Sequence, residues 1–188
     1  MRIGGLILAA GEGRRFGATK QLAELRGRPL LEYAVESMLS VPAVWPVIVV
    51  LGHDSGAIRA GTDLGDARIV VCPDWREGQA ASLRCGIAAL GSVDAAVIAL
   101  GDQPFITPQV IAGVLDFDDR YHDAVRATYR GTPGHPVLLA RRLLDRADEL
   151  EGDVGFRQLL EGRRIKRFEA GHLCDPTDID TREELARR

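Results

Sequence analysis

Ile3-Gly4-Gly5-Leu6-Ile7-Leu8-Ala9-Ala10-Gly11-Glu12-Gly13-Arg14-Arg15-Phe16-Gly17-Ala18-Thr19-Lys20 is the stretch from which the rest of the chain can be read. An apolar run ends at Ala10 in three glycines, Gly11, Gly13 and Gly17, interleaved with Arg14 and Arg15, and Lys20 follows shortly. Glycine lets a backbone turn tightly and brings its N–H groups close to a ligand. Arginine and lysine beside such a turn carry the positive charge that a polyphosphate needs. A strand ending this way implies a cradle for a nucleoside triphosphate. The dinucleotide fingerprint Gly-x-Gly-x-x-Gly fails here, because its third glycine would fall on Phe16. The P-loop fails too, since Ala18 and Thr19 separate Gly17 from Lys20. The alternative is a solvated strand-to-helix turn with incidental arginines.

Outward from this stretch, buried apolar runs alternate with helical patterns. Ile3–Ala10, Val47–Leu51, Arg68–Cys72 and Ala95–Leu100 are aliphatic, bounded by Gly, Pro or Asp, and lack polar alternation, as strands of a sheet covered on both faces do. Pro29 opens a helix with Leu30, Leu31, Ala34, Val35, Met38 and Leu39 on one stripe. Residues 55–63 and 79–90 are the next helices, and Thr107-Pro108 starts another that runs to Leu115. Further on, Ala124–Tyr129 and Val137–Leu139 read as strands around a Gly131–Gly134 turn. Short helices near 141–149 and 155–161 follow, then a strand at Arg164–Phe168. Thr181-Arg182-Glu183-Glu184 matches a capping box. Strand–helix alternation predicts right-handed crossovers and an α/β fold, a mostly parallel open sheet in one domain. Ligands of such sheets sit beyond the carboxyl ends of the strands, which brings the Gly11–Lys20 loop and Gly101-Asp102 to one edge.

Composition agrees with one globular domain: 188 residues, 46% hydrophobic and 27% charged. A net charge of -3 argues against a nucleic-acid surface. No apolar run approaches a membrane span, and Met1 leads almost directly into a strand, so no signal peptide is expected. Cys72, Cys85 and Cys174 stand singly in no metal-ligand spacing and read as reduced thiols of a cytoplasmic protein. Nor do the four histidines form a paired motif, so structural zinc is not expected.

An acid after a buried strand and beside a phosphate cradle is a natural Mg²⁺ ligand, because magnesium takes one or two carboxylates plus phosphate oxygens and water. Asp102 of Gly101-Asp102-Gln103-Pro104 has that position; the alternative is an aspartate capping a turn. A second acid is expected from the Asp175, Asp178, Asp180 cluster before the last helix. The sequence leaves the choice between Asp178 and Asp180 open. Those acids also suit the positive end of that helix. Ser82 lacks a His/Asp partnering motif and is not read as a nucleophile.

These residues carry a resemblance. Leu8-Ala9-Ala10-Gly11 through Lys20 is similar to the Leu-Ala-Ala-Gly-x-x-x-Arg-x-Gly-x-x-Lys signature of MobA-like NTP transferases, with Gly11, Arg15, Gly17 and Lys20 on its fixed positions. Gly13 stands where many relatives have serine, and Phe16 where many have methionine. Gly-Asp-x-Pro resembles the family's metal motif, and Asp178-Ile179-Asp180-Thr181 resembles its terminal segment, with Arg182 replacing a proline. The resemblance implies a single-domain, three-layer, Rossmann-like sheet of the nucleotide-diphospho-sugar transferase type, with residues 1–105 binding nucleotide and 106–188 binding the acceptor. It implies that Arg15, Lys20 and Asp102 are catalytic and that Asp102 with Asp180 or Asp178 holds Mg²⁺. Leu8, Ala9, Ala10, Gly11, Gly13, Arg15 and Lys20 would bind nucleotide, as would Gly78, Ser82 and Arg84 of Gly78-Gln79-Ala80-Ala81-Ser82-Leu83-Arg84. Gly134, His135, Pro136, Asp153 and Arg157 resemble acceptor-side stretches.

Ala9-Ala10-Gly11 and the Gly78–Arg84 stretch resemble members that use CTP rather than GTP. The most similar activity is that of molybdenum cofactor cytidylyltransferases, which transfer CMP from CTP to a molybdopterin-type phosphate and release pyrophosphate. A molybdoenzyme or maturation factor would then be a protein partner. Two alternatives stand beside it: a transferase that uses GTP or acts on a sugar phosphate or other small phosphate, and a non-catalytic nucleotide or cofactor carrier.

Overall fold

The computed structural model describes residues 1–188, apart from the side chain of Val154. Its elements are β1 (Ile3–Ala9), β2 (Glu24–Leu25), β3 (Arg28–Pro29), α1 (Leu30–Leu39), β4 (Val44–Leu51), α2 (Ser55–Gly61), β5 (Arg68–Val71), α3 (Gln79–Leu90), β6 (Ala95–Leu100) and α4 (Pro108–Val114) in the first part. Then come β7 (Ala124–Tyr129), β8 (Thr132–Ala140), α5 (Arg141–Leu144), α6 (Arg157–Leu160), β9 (Ile165–Glu169) and α7 (Arg182–Ala186). Seven strands form one sheet in the order β5-β4-β1-β6-β8-β7-β9. β8 runs antiparallel to both its neighbours, and the other pairings are parallel, so the sheet is the mostly parallel open one expected.

The strand period of two divides the core between two faces. Ile3, Ile7 and Ala9 of β1 point into one layer with Leu31 and Met38 of α1, Ile58 of α2 and Val110 of α4. Leu6 and Leu8 point into the other with Leu83 of α3, Leu143 of α5 and Leu159 of α6. Both faces of β1 are therefore dry, which is why its sequence shows no polar alternation. No helix among the described residues is long and apolar enough to cross a membrane.

Several boundaries differ from the expectation. β4 begins at Val44 and carries Pro46 inside it. Pairing with β5 starts only at Ile48, so the missing N–H of Pro46 breaks no ladder bond on that side. The β7–β8 connection is tighter than a Gly131–Gly134 turn: Tyr129 pairs Thr132, and Arg130 and Gly131 both take positive φ, the two-residue turn that matches strand twist. Glu169 fastens this turn by accepting from the N–H groups of Arg130 (2.9 Å) and Gly131 (3.2 Å). The helices expected over 141–149 and 155–161 shrink to α5 and α6, each joined to short 3₁₀ turns. The capping box at Thr181 and Glu184 is present.

Gly86 lets α3 lie close on the sheet. A Cβ there would collide with Leu6 and meet Val50 Cγ2 at 2.8 Å. Gly86→Ala should destabilise the protein by about 1–3 kcal/mol through overpacking, read as a lower urea midpoint. An unchanged midpoint would mean that α3 yields without cost.

Candidate active site

The loop after β1 is shaped by its own backbone and one buried amide. Phe16 N–H and Gly17 N–H both donate to Gly13 O, at 2.8 and 3.2 Å. Gly13 sits at φ +64°, where an added Cβ would press on Ala18 O at 3.0 Å, so this turn favours glycine. Buried Gln21 donates from Nε2 to Ala9 O (2.7 Å) and Gly11 O (3.0 Å), clamping the start of the loop. No local pattern in the sequence marked Gln21. Its role follows from the chain folding back after Lys20 in a 3₁₀ turn over Lys20–Leu22.

Lys20 is delivered by that turn to the carboxyl edge of the sheet. Its Nζ donates to Asp102 Oδ2 at 2.6 Å and to Asp180 Oδ1 at 2.8 Å, with only 13% of the side chain exposed. Arg15 reaches Asp180 Oδ2 at 3.7 Å from an otherwise exposed position. Asp102 Oδ1 is buried without a hydrogen-bond partner. The segment carrying the second acid is tied to the first, since Ile179 N–H donates to Asp102 O (3.0 Å) and Gln103 Nε2 donates to Pro176 O (3.1 Å). Burial disfavours the Lys20 ammonium, but Asp102 and Asp180 outweigh it and raise its pKa. Desolvation and then the Asp102 charge push Asp178 up to about 6, so three carboxylates share one neighbourhood with one ammonium.

A cavity of about 680 Å³ opens beside this cluster, lined by Leu8, Ala10, Gly11, Gly13, Gly78 and Ser82 among others, and by Asp102. The glycine loop, the start of α3 and the acid after β6 thus meet in one cleft. Gly78 at φ +111° lets the Gly152–Asp153 turn close on the start of α3, because a Cβ there would meet Asp153 Oδ1 and Gly152 O at 2.6 Å. Trp75, Arg76 and Arg14 also line the cavity, and the sequence reading did not single out Trp75 or Arg76.

Not every expected residue lies where its motif suggested. Ala9 is buried beneath the cleft and, with Leu31, leaves no room for a Cβ at Gly101. Arg84 points out of the cleft: Nη1 donates to Leu150 O at 2.5 Å, and Nη2 lies 3.5 Å from Glu77, so it ties α3 to the 147–150 turn. Asp153 lies on the nucleotide side, accepting from Gln79 N–H at 3.3 Å at the start of α3. His135 and Phe156 meet edge to face at 5.2 Å, and Arg126 Nε donates to Gly134 O at 3.1 Å above them. Burial of the His135 ring, then the Arg126 charge, lower its pKa to about 4, so it is neutral at physiological pH.

Oxygen donors with one buried lone pair to spare suit a hard divalent cation. Among the described residues no three His, Cys, Asp or Glu side chains form a complete cage. The donor set therefore fits an ion that completes its shell with phosphate and water.

The chain belongs to the MobA-like NTP transferase domain family, which it matches over residues 5–169, and it is thus a nucleotidyltransferase-family protein. It is 32% identical over 194 residues to nicotine blue oxidoreductase of Paenarthrobacter nicotinovorans, covering 97% of this chain and 94% of that protein. It is 30% identical over 162 residues to the bifunctional protein GlmU of Sorangium cellulosum, covering 81% of this chain but only 33% of that longer protein. The crystal structure of Rv0371c from Mycobacterium tuberculosis superposes with a TM-score of 0.88 at 28% identity, covering 100% of this chain and 96% of the other. Rv0371c has also been solved in complex with manganese, with a TM-score of 0.84 at 26% identity and coverage of 100% and 97%.

His135 yields a pH prediction. Its folded pKa of about 4 lies below the unfolded value near 6.5, so the folded state holds the neutral ring and the unfolded chain takes up the proton. That contribution to stability is complete above pH 6.5 and is lost as pH falls from there toward 4, by up to about 1.4 kcal/mol per pH unit. In urea titrations between pH 7.5 and 4.5, His135→Asn should lose less stability than the wild type; parallel losses would contradict the buried neutral ring.

Proposed function

We propose that the protein is a Mg²⁺-dependent nucleotidylyltransferase that transfers CMP from CTP to the phosphate of a molybdopterin-type acceptor and releases pyrophosphate. The observation that carries this reading is the convergence of Lys20, Asp102 and Asp180 at the mouth of the cavity formed by the glycine loop and the start of α3. The loop would receive the triphosphate, with Lys20 and Arg15 neutralising it. Ala10, Gly11, Gly78 and Ser82 would border the base and sugar. The small Ala10 side chain and the Ser82 hydroxyl in the cavity wall support a pyrimidine nucleotide.

Asp102 would hold Mg²⁺ together with Asp180 or Asp178. When bound, the ion supplies charge neutralisation to the phosphates. An acceptor phosphate oxygen then bonds to the α-phosphorus as the bond to the β-phosphate oxygen breaks, and the electron pair leaves with pyrophosphate. The acceptor is already ionised at neutral pH, so no general base is needed. Catalysis rests on orientation and fixed charge, which this cluster provides. Residues 1–105 would serve the nucleotide and 106–188 mainly the acceptor, with Gly134, His135, Pro136 and Arg157 on that side and Asp153 between the two. We place the protein in the cytoplasm, with a molybdoenzyme or maturation factor receiving the product.

A second reading is favoured by the 32% identity, over nearly the full length of both chains, to a protein named an oxidoreductase: the cleft would then bind an electron donor or acceptor. Three acids around one ammonium favour transfer of a phosphate-bearing group instead. Asp102→Asn should lower pyrophosphate release from CTP and molybdenum cofactor by at least on the order of 10²-fold while leaving the circular dichroism spectrum unchanged. Turnover equal to wild type would remove Asp102 from the chemistry. In titrations with Mg²⁺, CTP should bind at least about tenfold tighter than GTP, roughly 1.4 kcal/mol, and a preference for GTP would overturn the base assignment.

A further inference from the structure

Several arginines near the β7–β9 side of the sheet have acid partners. Arg142 and Arg164 both engage Asp123, at 2.6 and 3.7 Å. Arg126, in the middle of β7, has none among the described residues. Its one hydrogen bond runs from Nε to Gly134 O at 3.1 Å, which leaves the outer guanidinium nitrogens free. The group lies half-buried over the Phe156 ring, 5.8 Å from its centroid. The charged residue that acts on it is another arginine, Arg157, and burial followed by this second cation lowers the Arg126 pKa. His135 beside them has Nε2 buried with no partner.

Holding two cations together without a carboxylate costs free energy that an anionic ligand would return. The place suits such a ligand. β6 and β8 pair in antiparallel register through Ile98 and Val137, and extending that register sets His135 abreast of Leu100, two residues before Asp102. Leu100 lines the nucleotide cavity, as does Asp153 on the chain segment that carries Phe156 and Arg157. We infer that Arg126, with Arg157, forms an anion subsite that takes the phosphate monoester of the acceptor and holds it beside the metal-binding acids. Naming the anion as the acceptor's phosphate rests on the transferase reading; the existence of the subsite does not.

Arginine fits this task because its planar fork presents two parallel donors to a phosphate, which a lysine cannot do. Half-burial sharpens the preference, since an anion there meets little competing water. Arg157, exposed at the rim, adds charge that draws the dianion in.

The test is ¹⁵N NMR of the full chain at constant ionic strength, following the arginine side-chain Nε–Hε resonances. The Arg126 signal is identified as the one missing from Arg126→Lys. Methyl phosphate is the probe, acetate is the control for a carboxylate ligand, and both are added with and without CTP in metal-free buffer. The Arg126 resonance should shift saturably with methyl phosphate and at least tenfold less with acetate, whether or not CTP is bound. Arg157→Gln, at an exposed position, should weaken the methyl phosphate response severalfold. A resonance that ignores methyl phosphate while CTP perturbs the glycine loop would overturn the subsite and leave the nucleotide reading intact. An equal or larger response to acetate would also overturn it. If methyl phosphate binds at Arg126 but CTP with Mg²⁺ and molybdenum cofactor yields no pyrophosphate, the subsite stands and the transferase reading fails.

Discussion

The ammonium of Lys20, bridging Asp102 and Asp180, is the contact on which the site's organisation depends. It joins three distant parts of the chain: the loop after β1, the loop after β6 and the strap before α7. Without a cation between them, Asp102, Asp178 and Asp180 would repel one another at the edge of a desolvated cleft. Burial first, and the neighbouring Asp102 charge second, raise the pKa of Asp178. Lys20 itself is held by a 3₁₀ turn whose next residue, Gln21, is locked to the carbonyls of Ala9 and Gly11. The charge cluster and the backbone of the phosphate loop are therefore one construction.

Around this point the molecule divides its work by strand. β1 and β6 are neighbours in the sheet, so their carboxyl ends lie side by side and the two loops cannot avoid meeting. α3 closes the cleft from the face opposite α1, with Gly86 letting it lie on the sheet and Gly78 letting the Gly152–Asp153 turn pack on its start. Beyond β6, the single antiparallel strand β8 turns its Gly134–Pro136 stretch back toward the same edge. That reversal sets His135 on the same edge, where it meets Phe156 edge to face and Arg126 donates to the neighbouring Gly134 O.

Much of this was legible from residues alone where the signal was local. The apolar strands at the centre of the sheet, the helices after Pro29 and Gly78, and the capping box at Thr181 each depend on neighbours a few positions away. The central elements appear near their expected bounds. Errors cluster where long-range pairing overrides local signals. Pro46 reads as a break yet sits inside β4, because β5 does not reach it. Gly131 and Gly134 read as a turn, yet pairing of Tyr129 with Thr132 tightens it to Arg130-Gly131. The β2–β3 hairpin is too short to leave a period at all.

For the site, sequence by itself determined the chemical inventory: a glycine loop, a lysine, two acidic segments, and their order along the chain. Those follow from residue type and spacing, which covalent structure carries. Only the tertiary structure decided which of these touch. It set Lys20 against both Asp102 and Asp180, turned Arg84 toward Leu150 and away from the cleft, moved Asp153 to the start of α3, and left Arg126 without an acid. The physical reason is that a side chain's role depends on burial and on partners far away in sequence, and packing of the sheet settles both at once.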